Sequence, residues 1–187
     1  AMNAEKYTKK SLEAIQNAQS LAVAHHNQQI EQAHLLLALL QQEGGLIPQL
    51  LQQMGVTVES LTAAAEAEVD KLPGVTGSGR DADKFYISRA VDEVFTQAEQ
   101  IAASMKDEFI SVEHIFLAML DKPDSAMKRL FETYRIQKEN AMQALQAIRG
   151  NQRVTTDSPE DTYEALKKYG TDLVERARSK KMDPVIG

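Results

Sequence analysis

The sequence predicts an all-α protein built from two copies of one helical repeat, packed as a single globule with pseudo-twofold symmetry. Composition is the first reason: Ala, Leu, Gln and Glu dominate, aromatic residues make up 5% and Trp is absent, a set of strong helix formers without strand formers. Self-similarity is the second. Shifting the chain by 80 positions aligns residues 8–56 with 88–136 without a gap, and pairs Glu13 with Glu93, Ala18 with Ala98, Ala22 with Ala102, Ile30 with Ile110, His34 with His114, Leu37 with Leu117 and Leu50 with Leu130, the mark of internal duplication. Periodicity is the third, since these identities recur at helical spacing.

Each copy reads as four helices. The first runs from about Thr8 to His25 with an apolar stripe at Leu12, Ile15, Ala18, Leu21 and Ala22, and its mate starts at Ser88. The second, about Glu31 to Gln42 and Ser111 to Leu120, is apolar nearly all round, which marks a central helix buried on several sides. A third, about Ile47 to Met54, stops at Gly55; Thr57 is the N-cap expected for the fourth, with Val56 and Leu61 placed for a hydrophobic staple. Leu130 to Tyr134, and Gln137 to Arg149 closed by Gly150, repeat the plan. Between the copies, Leu72 to Lys84 clusters Gly and Pro and reads as a loop. Two repeats are too few for a solenoid to hide its ends, so a closed globule is expected. After Gly150 a polar stretch leads to Ser158 as N-cap, Pro159 as first helical residue and Glu160 and Asp161 in the first turn. That short helix should end near Gly170, with Thr171 capping another to about Lys180. The expected units are residues 1–150, holding repeat one at about 3–72 and repeat two at about 85–150, and a tail at 151–187.

Charge and composition narrow the function classes. The net charge is −6, and residues 151–187 carry seven basic and seven acidic side chains, so the whole excess lies in the repeats. An acidic globule repels phosphate backbones, which argues against nucleic acid as a partner. With no Cys, there is no disulfide, thiolate nucleophile or thiolate metal site. The longest apolar run, Leu35 to Leu40, is far shorter than the roughly 20 residues that span a bilayer, and the N-terminus has no basic region followed by an apolar one. A cytoplasmic chain without membrane contact is expected. Ala1 ahead of Met2 reads as a residue carried over from expression.

Catalytic chemistry finds little support. Gly74 to Arg80 superficially resembles a phosphate loop but lacks a preceding strand and a Lys followed by Ser or Thr. His25 and His26 point about 100° apart on a helix, with no HExxH or Cys nearby, and read as solvated helix-end residues. His34 and His114 sit at equivalent positions beside the buried stripe and read as packing residues with one satisfied ring nitrogen. No Gly-x-Ser-x-Gly elbow exists, and Asp92-Glu93 and Asp107-Glu108 read as solvated surface acids.

The segments Ile30-Glu-Gln-Ala-His-Leu-Leu-Leu-Ala-Leu-Leu40 and Ile110-Ser-Val-Glu-His-Ile-Phe-Leu-Ala-Met-Leu120 resemble the Clp repeat found at the N-terminus of AAA+ unfoldases, over about residues 3 to 150. The tail Ala165-Leu-Lys-Lys-Tyr-Gly-Thr-Asp-Leu-Val-Glu-Arg-Ala177, ending in Met182-Asp-Pro-Val-Ile-Gly187, is similar to the entry into the first ATPase module of the ClpB-type disaggregases. The resemblance implies a substrate-engaging module that binds unfolded or aggregated polypeptide and passes it to an ATPase ring. The alternative it leaves open is an adaptor-docking N-domain of the ClpC or ClpA type. It further implies that a hexameric parent uses ATP and magnesium, while this chain is a monomer that binds no cofactor and catalyses nothing. The resemblance implies that three family positions rim the groove that binds substrate: Thr8 opening the first helix, Asp107 before the Phe-Ile-Ser turn, and Glu113 two residues past that Ser. Helix capping by Thr8, and a first-turn anion at Glu113, is the bland account of the same residues. Val91 stands where the other copy has Ser11, and Phe109 where it has Gln29. With Phe95, they are the expected apolar groove of the second repeat, although core packing is the competing role.

Overall fold

The computed structural model describes residues 3–75 and 86–160. Eight α-helices form among them: α1 (Lys9–Ala24), α2 (Gln32–Leu40), α3 (Leu46–Gln53), α4 (Val58–Asp70), α5 (Arg89–Ser104), α6 (Val112–Asp121), α7 (Ser125–Thr133) and α8 (Lys138–Arg149), preceded by a single 3-10 turn at Ala4–Lys6. The described residues contain no strand, so the all-α reading and the plan of four helices per copy both hold.

α2 and α6 are the heart of the core. Every residue of α2 is buried, as are all of α6 except Leu120 and Asp121, in keeping with sequences apolar on all sides. The remaining helices lay their apolar stripes against this pair: Ala14, Ile15, Ala18 and Ala22 from α1 and Val91, Val94, Phe95, Ala98 and Ala102 from α5 enter one continuous cluster. Small residues on α1 and α5 let these helices approach the central pair closely, while Leu and Ile side chains fill the rest.

The two copies are joined by reciprocal backbone exchange. Tyr7 bridges to Ile110 in the second repeat, and Ile30 bridges to Ile87, the 80-residue equivalents of each other's partners. Thr8 N–H donates to Ile110 O while Ile110 N–H donates to Lys6 O; symmetrically, Ile30 N–H donates to Tyr86 O and Ser88 N–H to Ile30 O. Each copy thus supplies the segment before its first helix to the turn before the other copy's central helix. This exchange makes one body of two repeats.

Two sequence expectations change, and the helix ends add a finding of their own. α7 begins at Ser125, five residues earlier than its apolar residues suggested, because Asp124 caps it through Met127 N–H at 2.9 Å. Thr57 precedes α4 in extended backbone but its hydroxyl caps nothing, although Leu61 is in the core and Val56 packs on it. The left-handed turns that end α1, α5 and α7 fall on His26 (φ 58°), Lys106 (φ 60°) and Arg135 (φ 55°), and only their counterpart after α3 uses Gly55 (φ 78°). Residues 159 and 160 begin a helix behind Ser158, as expected. The rest of the tail helices and most of the Gly74 to Arg80 segment lie outside the described residues.

Candidate functional site

The family-matched residues converge on one end of the second repeat. The turn after α5 carries Asp107, whose Oδ2 faces His114 Nε2 at 2.7 Å. His114 Nδ1 accepts from Ser111 N–H at 2.9 Å. A backbone N–H can only donate, so Nδ1 is the bare nitrogen and Nε2 carries the proton given to Asp107. Both ring nitrogens are engaged, one more than expected. Repeat one has the same device: His34 Nδ1 accepts from Glu31 N–H at 2.9 Å, and His34 Nε2 donates to Asn27 Oδ1 at 2.7 Å. In each copy the histidine is the third residue of a capping box that starts the central helix.

Arg149, the last residue of α8, completes the second-repeat site. Its Nη2 donates to Asp107 Oδ1 at 2.8 Å and to Gln152 O at 2.8 Å, while Nη1 donates to Asp107 Oδ2 at 2.9 Å and Glu113 Oε2 at 3.1 Å. The side chains of Asp107, Glu113 and His114 are fully buried and that of Arg149 is 3% exposed, so this fork holds both acids in a low-dielectric interior. Burial alone would raise the Asp107 carboxyl. Hydrogen bonds from His114, Arg149 and the Val154 N–H, with the guanidinium charge, outweigh it and hold the group well below the usual carboxylate range.

A second cluster lies beside it. Thr8 caps α1 by accepting from Ser11 N–H at 3.2 Å, and its hydroxyl donates to Glu160 Oε2 at 2.6 Å. The same Oε2 accepts from Val112 N–H, at the first turn of α6, at 3.1 Å. Ser11 Oγ donates to Ile110 O at 3.1 Å. Burial, with the Glu113 charge added to it, pushes Glu160 up to about 7, against hydrogen bonds from Thr8, Val112 and its own backbone that pull it down.

The expected groove is rearranged. Val91 and Phe95 are 0% and 4% exposed, and Phe95 meets Tyr7 edge-on at 6.0 Å between ring centroids, so both are core and offer no open surface. Asp107 and Glu113 are likewise not a charged rim: their negative charge is compensated internally by Arg149. Phe109 alone among the nominated apolar residues is partly exposed. It lines a shallow depression of about 210 Å³ with Ala102, Ala103, Ile110, Lys6 and Glu99, continued by Asp107 and Glu108. Arg149 and Glu160 were not anticipated. The signal for Arg149 was its place on the α8 stripe four residues after Leu145 and eight after Ala141, all three buried.

Ser111, His114 and Asp107 lie in the order of a hydrolytic triad, with Ser111 Oγ 3.1 Å from His114 Nδ1. The geometry is that of a cap instead. Nδ1 already accepts the Ser111 N–H, the Ser hydroxyl serves the α6 N-terminus, and Ser111 and His114 are completely buried, which leaves a substrate no approach. Among the described residues no group of three or more His, Cys, Asp or Glu could hold a metal ion, and no helix is long and apolar enough to cross a membrane.

Two pseudo-symmetric four-helix repeats around buried His-capped central helices define a Clp-type N-domain. The chain matches the Clp repeat (R) N-terminal domain over residues 6–134 and belongs to that family. Over 186 residues, covering all of this chain, it is 46% identical to the chaperone protein ClpB of Bacillus cereus, of which it spans 21%. Its fold matches the crystal structure of the Hsp104 N-terminal domain from Candida albicans with a TM-score of 0.72 and 21% identity, covering 83% of this chain and 99% of that one. A complex of the ClpV N-domain with a VipB peptide matches with a TM-score of 0.58 and 20% identity, covering 76% of this chain and 86% of that one. The chain spans about a fifth of the length of the ClpB relatives it matches.

Proposed function

We propose that this domain engages unfolded or aggregated polypeptide and hands it to the ATPase ring of a ClpB-type disaggregase. The observation that carries the reading is the 46% identity to ClpB across the whole chain; the ClpV N-domain complex with a peptide supports it as an example of this fold holding a polypeptide. Residues 151–187 are the linker and the first residues of the ATPase module. The hexameric assembly, ATP and magnesium belong to the full-length parent, a cytoplasmic chaperone.

The client site is the depression beside Phe109. At about 210 Å³ it takes one or two apolar side chains of an extended segment and is below the roughly 300 Å³ typical of small-ligand sites. Val91 and Phe95 support it from the core. Thr8, Asp107 and Glu113 act at one remove: Asp107 and Glu113, through Arg149, brace the turn that carries Phe109, and Thr8 secures the start of α1 beside it. Glu99 and Glu108, both exposed, favour basic residues flanking the client segment, and added salt weakens that preference by screening. A feeder must release what it binds, so the affinity is nearer micromolar than nanomolar, roughly −8 rather than −12 kcal/mol.

Amide chemical-shift mapping with an unfolded client peptide tests this. Shifts should centre on Lys6, Ala103, Phe109 and Ile110, and Phe109→Ser should weaken binding about tenfold, or roughly 1.4 kcal/mol, while leaving the melting curve intact. Shifts confined to the first repeat, or unchanged binding by Phe109→Ser, would remove the site; saturable binding only to a folded adaptor protein would favour the adaptor-docking alternative.

A further inference from the structure

The chain after α8 does not leave the domain directly; it runs back across the second repeat to the start of α1. Gln152 O receives Arg149. Val154, fully buried, exchanges two hydrogen bonds with the turn after α5: its N–H donates to Asp107 Oδ1 at 2.9 Å and its O accepts from Glu108 N–H at 2.7 Å. Asp157 O accepts from Lys9 N–H at 2.8 Å. Pro159 and Glu160 then enter the notch between the first turns of α1 and α6, where both are buried.

The notch is built from donors. Thr8 O–H and Val112 N–H both aim at a single oxygen, Glu160 Oε2, and two helix N-termini add positive potential. Thr8 and Ser11 are fully buried, so neither hydroxyl is shared with solvent. The other oxygen, Glu160 Oε1, is buried and makes no hydrogen bond among the described residues, and the same holds for Oε1 of Glu113. An ionised Glu160 would strand a carboxylate oxygen in the interior facing a second acid. A neutral carboxyl removes one of the two like charges and fits the same donors.

We propose that this notch is a binding site for a carboxyl group, filled in cis by Glu160, and that the contact latches residues 150–160 onto the second repeat. The groups around it set its response to pH. Glu113 faces it from α6, Arg149 on α8 ties Glu113 to Asp107 and, through Asp107, to His114, Lys9 pairs with Asp157 at 3.9 Å, and the Tyr7 phenol is pushed above its ordinary range by burial and the charges of Glu99 and Asp92. Arg149 is committed to Asp107 and Glu113, and Tyr7 titrates outside the neutral range. Glu160 is pushed up to about 7 from an ordinary value of 4.5, so the latch is tightest below the ordinary value and loosens as pH rises through the raised one.

Amide hydrogen exchange on the 187-residue chain, expressed as protection factors, tests the latch. At Val112, protection in the native sequence should fall on the order of a hundredfold between about pH 5 and pH 8. Glu160→Gln keeps an acceptor for Thr8 and Val112 without a charge, so its protection should be high and flat. Glu160→Ala should lose protection at Val112 and Lys9 at both pH values, while the Leu37 and Leu117 amides stay protected and show the fold intact. Equal Val112 protection in Glu160→Ala and the native chain would overturn the latch. A native profile flat with pH, or a Glu160→Gln profile as steep as the native one, would overturn the neutral-carboxyl site.

Discussion

The turn after α1 and the turn after α5 are copies of one another, and they solve the same problem with different charge. Each ends its helix in a left-handed residue, His26 or Lys106, and each then presents a short polar side chain to the capping histidine of the next helix. In the first repeat that side chain is Asn27, whose amide also donates to Pro73 O at 3.2 Å. In the second it is Asp107, and the neutral pair becomes a buried ionic network once Arg149 and Glu113 are added. The chain after each repeat returns to the same place, Val75 N–H donating to His26 O and Val154 O accepting from Glu108 N–H. The shared parts hold the fold. The unshared charge makes one end of the domain sensitive to its linker and to pH.

The comparison breaks first where the copies are alike. Leu37→Asp and Leu117→Asp each put a charge into a fully surrounded central helix, at several kcal/mol against a typical stability of about 5–15 kcal/mol. Both should abolish cooperative melting by circular dichroism, and to a similar degree. A native-like melt in either would mean that the two central helices are not equivalent.

Next comes the part found in one copy only. Arg149→Met leaves Asp107 and Glu113 buried without their cation and should lose about 3–5 kcal/mol in urea unfolding. Its 80-residue equivalent is Val69, a simple core residue, so Val69→Ala should lose less, about 1–2 kcal/mol. A loss under about 1 kcal/mol for Arg149→Met would show that the network contributes nothing net.

Exchanging the turn residues sharpens the contrast. Asp107→Asn removes charge-assisted bonds to Arg149 and should cost about 1.5–3 kcal/mol, whereas Asn27→Asp forfeits the donor to Pro73 and should cost about 1 kcal/mol. Because the Asp107 pKa is lowered, its contribution is present at neutral pH and is lost as pH falls below the ordinary carboxylate value, near pH 4. Stability measured between about pH 5 and pH 2.5 should therefore fall less steeply in Asp107→Asn than in the native chain.

The smallest effects belong to the caps. Ser88 caps α5 through Val91 N–H at 3.1 Å just as Thr8 caps α1, so Ser88→Ala should lose about 1 kcal/mol. Thr8→Ala should lose that and also the bond to Glu160, and should lower the protection of Val112. Equal losses with an unchanged Val112 amide would mean that Thr8 is a cap and nothing more.

Periodicity and duplication were enough to place the helices, to identify α2 and α6 as central, and to equate His34 with His114, because burial from all sides requires an apolar sequence and a repeat copies its pattern. Local signals did less well where several conformations share one residue type. His26, Lys106 and Arg135 take left-handed turns without a glycine to announce them, and Asp124 starts α7 ahead of its apolar residues. What only the tertiary structure decided is which polar groups meet. Asp107, Glu113 and Arg149 are 36 to 42 residues apart where they pair, and Thr8 and Glu160 are separated by 152, distances at which no helical period couples one side chain to another. Their burial follows from the way the two copies exchange backbone and the linker folds back. Thus Asp107, read in sequence as a surface acid or part of a polar rim, and Glu113, read as a first-turn anion or part of that rim, are both buried and paired with Arg149. Val91 and Phe95 went into the core for a related reason: an apolar substitution tells that a residue avoids water, and only packing determines whether another element covers it.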